Sequence, residues 1–182
     1  MIDLRAARPP SQLPDVNLQS LYALSQSVPA GDFVEVGVYK GGSAWVLDQS
    51  AFTRDNCTLH LFDTFSGIPH KGELDSVNVG EFKDVDLDEL RALIPSAEFY
   101  VGVFPNTLGE EPEQIAFAHI DCDQYDGCHA AITCLWPRIV PGGIMAFDDY
   151  PFAGIKKAIH DFFGDAVQFT KTNIPYVRKG AG

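Results

Sequence analysis

The chain has 182 residues, with 13 Lys+Arg against 25 Asp+Glu, a formal net charge of −12 and 46% hydrophobic residues. That length suits one domain with its own core, and the apolar fraction is too high for a disordered chain. The acid excess argues against nucleic acid or an anionic membrane surface as a partner, because phosphate binding needs a basic face, and no apolar run approaches the ~20 residues of a membrane span.

The N-terminus carries no hydrophobic signal core, so it reads as unprocessed and the protein as cytoplasmic. Residues 9–14 (Pro-Pro-Ser-Gln-Leu-Pro) form a stiff lead-in, and Leu18, Leu21, Tyr22 and Leu24 predict an amphipathic helix over 17–27. Residues 1–30 are therefore a helical extension of a single domain covering 1–182. Residues 32–38 read as a buried strand ending at glycine, and Gly41-Gly42-Ser43 opens a helix running to about Phe52. Thr58 to Asp63 is a second strand. Residues 64–85, rich in Gly, Asp and Lys, form a loop whose length suggests an active-site role.

Asp86–Ile94 is a helix, Glu98–Phe104 the third strand and Ile115–Asp121 the fourth, with Cys122 still inside its apolar pattern. Asp126 to about Pro137 is a helix. The turn Pro141-Gly142-Gly143 introduces a fifth strand ending at Asp148, Ala153–Phe163 is a helix, and 166–172 with 174–179 form a terminal strand pair around Asn173. Alternating strands and helices predict an α/β fold with parallel βαβ units and helices on both faces of the sheet. The cysteines at 57, 122, 128 and 134 contain no C-x-x-C pair, so they read as free thiols, not a metal knot or redox motif.

Ligands of such sheets bind beyond the carboxyl ends of the strands. The first strand ends in Glu35-Val-Gly37-Val-Tyr39-Lys-Gly41-Gly42-Ser43, whose glycines admit a ligand against bare backbone or, alternatively, only tighten a turn. The spacing is neither the dinucleotide G-x-G-x-x-G nor a phosphate-binding G-x-x-x-x-G-K, so an NAD-linked oxidoreductase is a poor reading. The second strand ends in Asp63, an acceptor for ribose hydroxyls or else a solvated strand-end acid. The fourth and fifth end in Asp121-Cys122-Asp123 and Asp148-Asp149. If those strands are neighbours, at least three carboxylates meet at one mouth, and such crowding calls for a hard divalent cation; the alternative is that some cap helices and the rest face water. Asp126 and Asp161 read as cap and surface residues, Tyr125 and Trp136 as core or pocket walls.

Four blocks, Phe33–Ser43, Leu61–Pro69, His119–Asp126 and Leu135–Tyr150, resemble the macrocin O-methyltransferase family, a branch of the class I S-adenosylmethionine (SAM)-dependent methyltransferases. The resemblance runs from about residue 30 to 165. It implies a Rossmann-like, mostly parallel seven-stranded sheet with an antiparallel last strand. It also implies methyl transfer from SAM to a hydroxyl of a small molecule, often a natural-product sugar, with Mg²⁺ or Mn²⁺. On that resemblance Glu35, Gly37, Tyr39, Gly41, Ser43, Asp63, Thr64 and Phe65 bind the cofactor, although packing is the competing role for Phe65. Asp121, Asp148 and Asp149 hold the metal in an arrangement similar to that of catechol O-methyltransferase.

Family members are commonly longer. Here about 30 residues precede the first strand and the 64–85 loop is modest, so the acceptor pocket is expected to be open or completed by a second subunit. The terminal strand pair offers a surface for a homodimer. An acceptor with two adjacent oxygens, such as a sugar diol, a polyol or a catechol, would suit the cation best. Asp121 and His70, the latter in Ile68-Pro69-His70-Lys71-Gly72, are the expected catalytic residues, with His70 as general base or else an ordinary exposed loop histidine. Asp123 is a further ligand or a supporting acid, and His119 reads as a satisfied core histidine. The competing function is a SAM- or nucleotide-binding module without catalysis that serves as a partner subunit.

Overall fold

The computed structural model describes residues 2–4 and 8–180. The reading of an unprocessed N-terminus rests in part on Met1 and residues 5–7, which lie outside the described residues. Helix α1 (Asp15–Gln26) leads into β1 (Asp32–Val36), α2 (Gly42–Phe52), β2 (Leu59–Asp63), α3 (Leu87–Leu93) and β3 (Glu98–Val101). Then follow β4 (Ile115–Ile120), α4 (Tyr125–Leu135), β5 (Ile139–Phe147), α5 (Ala153–Phe163), β6 (Gln168–Phe169) and β7 (Pro175–Arg178). Among the described residues no helix is long and apolar enough to cross a membrane.

The strands form one sheet in the order β3-β2-β1-β4-β5-β7-β6. The first five run parallel, β7 runs against β5, and β6 against β7. The mostly parallel, seven-stranded sheet with an antiparallel last strand that the resemblance implied is what the chain adopts. Successive residues of a strand face opposite sides of a sheet, so apolar residues throughout a strand feed two cores. On one side Phe33, Leu61 and Phe117 pack with α1 and α2; on the other Val34, Phe62 and Phe147 pack with α4 and α5. The chain leaves β1 in one direction toward β2 and β3 and returns on its other side as β4. The crevice at that reversal, above the carboxyl ends of β1 and β4, is where such sheets bind ligands.

Most predicted boundaries hold within two residues; the end of β3, the start of β5 and the end of β6 (Phe169, where residue 172 is predicted) differ by more. β3 stops at Val101, three residues early, where the chain turns through Gly102 at φ +144°. β4 ends at Ile120, and Cys122 lies past the strand, because Asp123 takes a left-handed backbone (φ 59°) to enter α4. The Pro141-Gly142-Gly143 turn is instead a bulge inside β5: Ile115 and Phe117 pair with Ile139 and Ile144, so two steps on β4 match five on β5. The bulge is held from β7's side, where the Gly142 N–H donates to Lys179 O (2.8 Å) and the Lys179 N–H to Gly143 O (2.9 Å). All four cysteines are free, and burial pushes the thiols of Cys57 to about 11 and Cys128 to about 12, so neither is a reactive thiolate.

Candidate active site

A cleft of about 750 Å³ opens at the carboxyl ends of β1, β2, β4 and β5. Its walls include Gly37–Lys40, Asp63 and Thr64, the 64–85 loop, and Asp121–Gln124 with Asp148 and Asp149. Pockets of 300–1,000 Å³ are typical for small molecules and cofactors. The lead-in at residues 10–13 also borders it.

One side of the cleft is built on glycine backbone. Gly37 sits at φ +88°, and a Cβ placed on it would lie 1.7 Å from the carbonyl oxygen of Asp121, so only glycine lets β1 and β4 approach there. The following turn is held by Asp63. Its Oδ2 accepts the N–H groups of Val38 (2.7 Å) and Tyr39 (2.9 Å), and its Oδ1 accepts that of Phe65 (2.7 Å). The Thr64 hydroxyl adds a longer bond to Oδ1 (3.4 Å), so four donors meet the roughly four lone-pair directions of the carboxylate. Asp63 therefore fixes the shape of the turn that any ligand meets, a role its sequence position did not suggest.

On the other side, single carboxylate oxygens of Asp121, Asp148 and Asp149 all lie within 4.8 Å of one another, and all three side chains are half-buried. β4 and β5 are parallel neighbours, so their ends deliver these acids to one place. Burial first, then the charges of Asp148, Asp149 and Asp123, push the Asp121 carboxyl well above the usual range. Asp123, which also lines the cleft, is raised to about 8 by burial and by its hydrogen bond with Asp149. Asp149 is raised by burial, against its bond with Asp123. Like charges this close are costly without a compensating cation or shared proton, and an all-oxygen donor set suits a hard divalent ion. The residues present therefore fit Mg²⁺ or Mn²⁺.

The other predicted residues divide. Tyr39, Ser43, Thr64 and His70 line the cleft with Gly37 and Asp63. Glu35, Gly41 and Phe65 do not. Glu35 is fully buried beneath the cleft, its Oε1 2.8 Å from His119 Nδ1, while its Oε2 has no hydrogen-bond partner among the described residues. His119 is thus the buried, paired core histidine it was expected to be. Gly41 precedes α2 at φ +80°, where a Cβ would strike Leu90 Cδ1 at 2.3 Å, and Phe65 packs against Phe99. Asp126, expected to be a cap, stands in the first turn of α4 at the cleft wall with its carboxylate 3.5 Å from His70 Nε2. The lead-in was missed because proline-rich composition signals stiffness and not position: a Cβ on Gly42 would meet Ser11 Cβ at 2.3 Å, so that segment lies directly on the start of α2. Asp75 was missed altogether. It lies in a polar loop where no spacing rule selects it, yet it is buried.

Among known proteins the chain is 30% identical over 159 residues to a tetracenomycin-type rhamnosyl 4'-O-methyltransferase of Streptomyces olivaceus, covering 78% of this chain and 60% of that protein. It is 29% identical over 161 residues to the mycinamicin III 3''-O-methyltransferase of Micromonospora griseorubida, covering 77% of this chain and 63% of that protein. The chain thus spans about three fifths of the length of the curated relatives it matches. The crystal structure of CalS11, a calicheamicin methyltransferase, shares the fold with a TM-score of 0.77 at 21% identity, over 90% of this chain and 77% of that one. The profile of the macrocin-O-methyltransferase (TylF) family matches residues 16–172, and the chain belongs to that family.

Proposed function

We propose that this protein transfers a methyl group from SAM to a hydroxyl oxygen of a small molecule, a sugar diol, polyol or catechol-like natural product, with a divalent cation held by Asp121, Asp148 and Asp149. The observation that carries this reading is the joint lining of one cleft by the Gly37 turn and by three carboxylates within 4.8 Å of one another. Family membership and the O-methyl transfer named in its relatives support it.

The acceptor oxygen attacks the sulfonium methyl carbon in line, the C–S bond breaks, and S-adenosylhomocysteine (SAH) leaves neutral, so the leaving group needs no acid. The demand falls on the acceptor, which must lose its proton as it attacks. A bound divalent cation supplies a Lewis acid that lowers the pKa of a hydroxyl. Gly37 and the Asp63-pinned turn fix the donor, and near-attack alignment of two bound reactants is worth up to ~7–11 kcal/mol. The proton passes to His70, the imidazole on the cleft wall, half-exposed and 3.5 Å from the Asp126 carboxylate.

The test incubates the protein with SAM and a panel of diols and catechols, with and without EDTA, and follows SAH. Turnover is expected only with acceptor and cation present. Asp148→Ala and Asp149→Ala are expected to lower it by at least about 100-fold while SAH still binds. Transfer indifferent to EDTA would remove the cation from the reading. SAM binding with no turnover on any acceptor would favour the non-catalytic module.

A further inference from the structure

The long loop between β2 and α3 is built in two parts. Its neck is closed by backbone: the Ile68 N–H donates to Glu81 O (2.9 Å) and the Gly80 N–H to Ile68 O (2.9 Å). Gly67, at φ +92°, lets the two strands of the neck touch, since a Cβ there would meet Glu81 O at 2.5 Å. Beyond the neck, residues 69–79 return to the body of the protein at Asp75. This side chain is 8% exposed although it sits in a polar loop. Its Oδ2 accepts the Gly72 N–H (2.8 Å) and the Gln124 side-chain amide (3.4 Å), and its Oδ1 accepts the N–H of Tyr125 (2.8 Å), the first residue of α4. The same Gln124 amide also donates to His70 O (2.5 Å).

Helix α4 has no cap of its own, because the Gln124 side chain makes no capping bond. The acid that satisfies its first N–H comes from fifty residues earlier in the chain. Helix α5 closes on the same spot: a Cβ on Gly154 would come within 3.0 Å of Leu74 O and 3.5 Å of Asp75 Oδ1. Two helix N-termini thus converge on one carboxylate, a favourable place for negative charge. Among the described residues the remaining polar link from this segment to the body, His70 to Asp126 at 3.5 Å, joins two well-exposed side chains and holds little. Val77 is buried, yet it lines the cleft and belongs to neither core.

We propose that Asp75 is a positioning residue: it staples residues 69–79, of which Pro69, His70, Ser76 and Val77 line the cleft, and so sets the affinity for the methyl acceptor without touching it. The acceptor part rests on the function proposed above; the staple itself does not. Asn at this position offers one acceptor oxygen and turns an NH₂ toward a backbone donor, so one buried N–H loses its partner.

Hydrogen–deuterium exchange on the full chain tests the staple. In Asp75→Asn the amides of 69–79 are expected to exchange about tenfold or more faster, while those of β4, β5 and the last two turns of α4 keep wild-type protection. In the methylation assay the acceptor KM is expected to rise about tenfold, with kcat and the SAH Kd within about threefold of wild type. Asp75→Glu, which keeps the charge and both acceptor oxygens, is expected to lie between the two. Should Asp75→Asn not accumulate, Asp75→Glu decides: a raised KM at unchanged Tm supports the staple, and a lowered Tm at unchanged KM overturns it. Unchanged exchange over 69–79, acceleration spread over the whole sheet, or Asp75→Glu behaving like Asp75→Asn would also overturn it. If no acceptor is ever methylated, the exchange result still stands, so failure of the staple and failure of the function are told apart.

Discussion

Two segments line the same cleft and are held in opposite ways. The turn after β1 is four residues of close-packed backbone, seated against Asp121 through Gly37 and bonded to Asp63 by consecutive N–H groups. The loop after β2 is some twenty residues long, closed at its neck and returned to the body at Asp75. The first is fixed by contacts along its whole length; the second is fixed at two places, its neck and Asp75. Under the proposed function the turn would serve the donor, common to many reactions, and the loop the acceptor, which differs from enzyme to enzyme.

Substitutions at paired positions sharpen or break this contrast. The largest effect is expected from alanine at glycines of similar backbone angle. Gly37→Ala drives a Cβ into the Asp121 carbonyl at φ +88°, whereas Gly80→Ala, at φ +81° in the loop's neck, meets nothing within 4 Å. The first should cost more than about 3 kcal/mol and the second about 1–2 kcal/mol, read from thermal or urea melts. Equal losses would abolish the distinction between a packed wall and a free loop.

Next in size is Asp63→Asn, which sets an amide NH₂ against backbone donors now served by a carboxylate. A loss of about 1–3 kcal/mol and a roughly tenfold weaker SAH Kd by calorimetry are expected. Asp75→Asn should leave that Kd alone, so weakening in both variants would mean that the two walls are coupled.

The smallest effect is on pH. Burial pushes Asp75 up, but the N–H groups of Tyr125 and Gly72, the Gln124 amide and the charge on His70 outweigh it, and the carboxyl lies below its ordinary 3.8. A depressed acid contributes its stability fully above the unfolded value and loses it as pH falls through the lower folded one. Protection of 69–79 in the wild type, relative to Asp75→Asn, should therefore hold above about pH 4 and fade below it, measured by exchange at stepped pH.

Much of the fold was legible in the sequence because its cues are local. Apolar runs such as Ile115–Ile120 and glycine punctuation around Gly41 bound the elements within a few residues. The acids at 63, 121, 148 and 149 could be picked out because they end strands, and strand ends meet ligands in this class of sheet. The Pro141–Gly143 bulge was illegible, since its partner is Lys179, and so was Cys122's place outside β4. Glu35 stands next to the cleft-lining Val36 but faces His119, because neighbours on a strand face opposite ways, and Phe65, past the end of β2, packs on Phe99.

The sequence by itself determined the α/β layering and the placing of acids at the strand ends, since hydrophobic period and glycine placement act over a few residues. Only the tertiary structure decided which carboxylates face one another, that Asp63 serves the turn before it serves a ligand, and that a loop acid caps a helix fifty residues away. Those are contacts between segments far apart in the chain. Their distances depend on how the whole sheet twists and packs, and no local pattern records them.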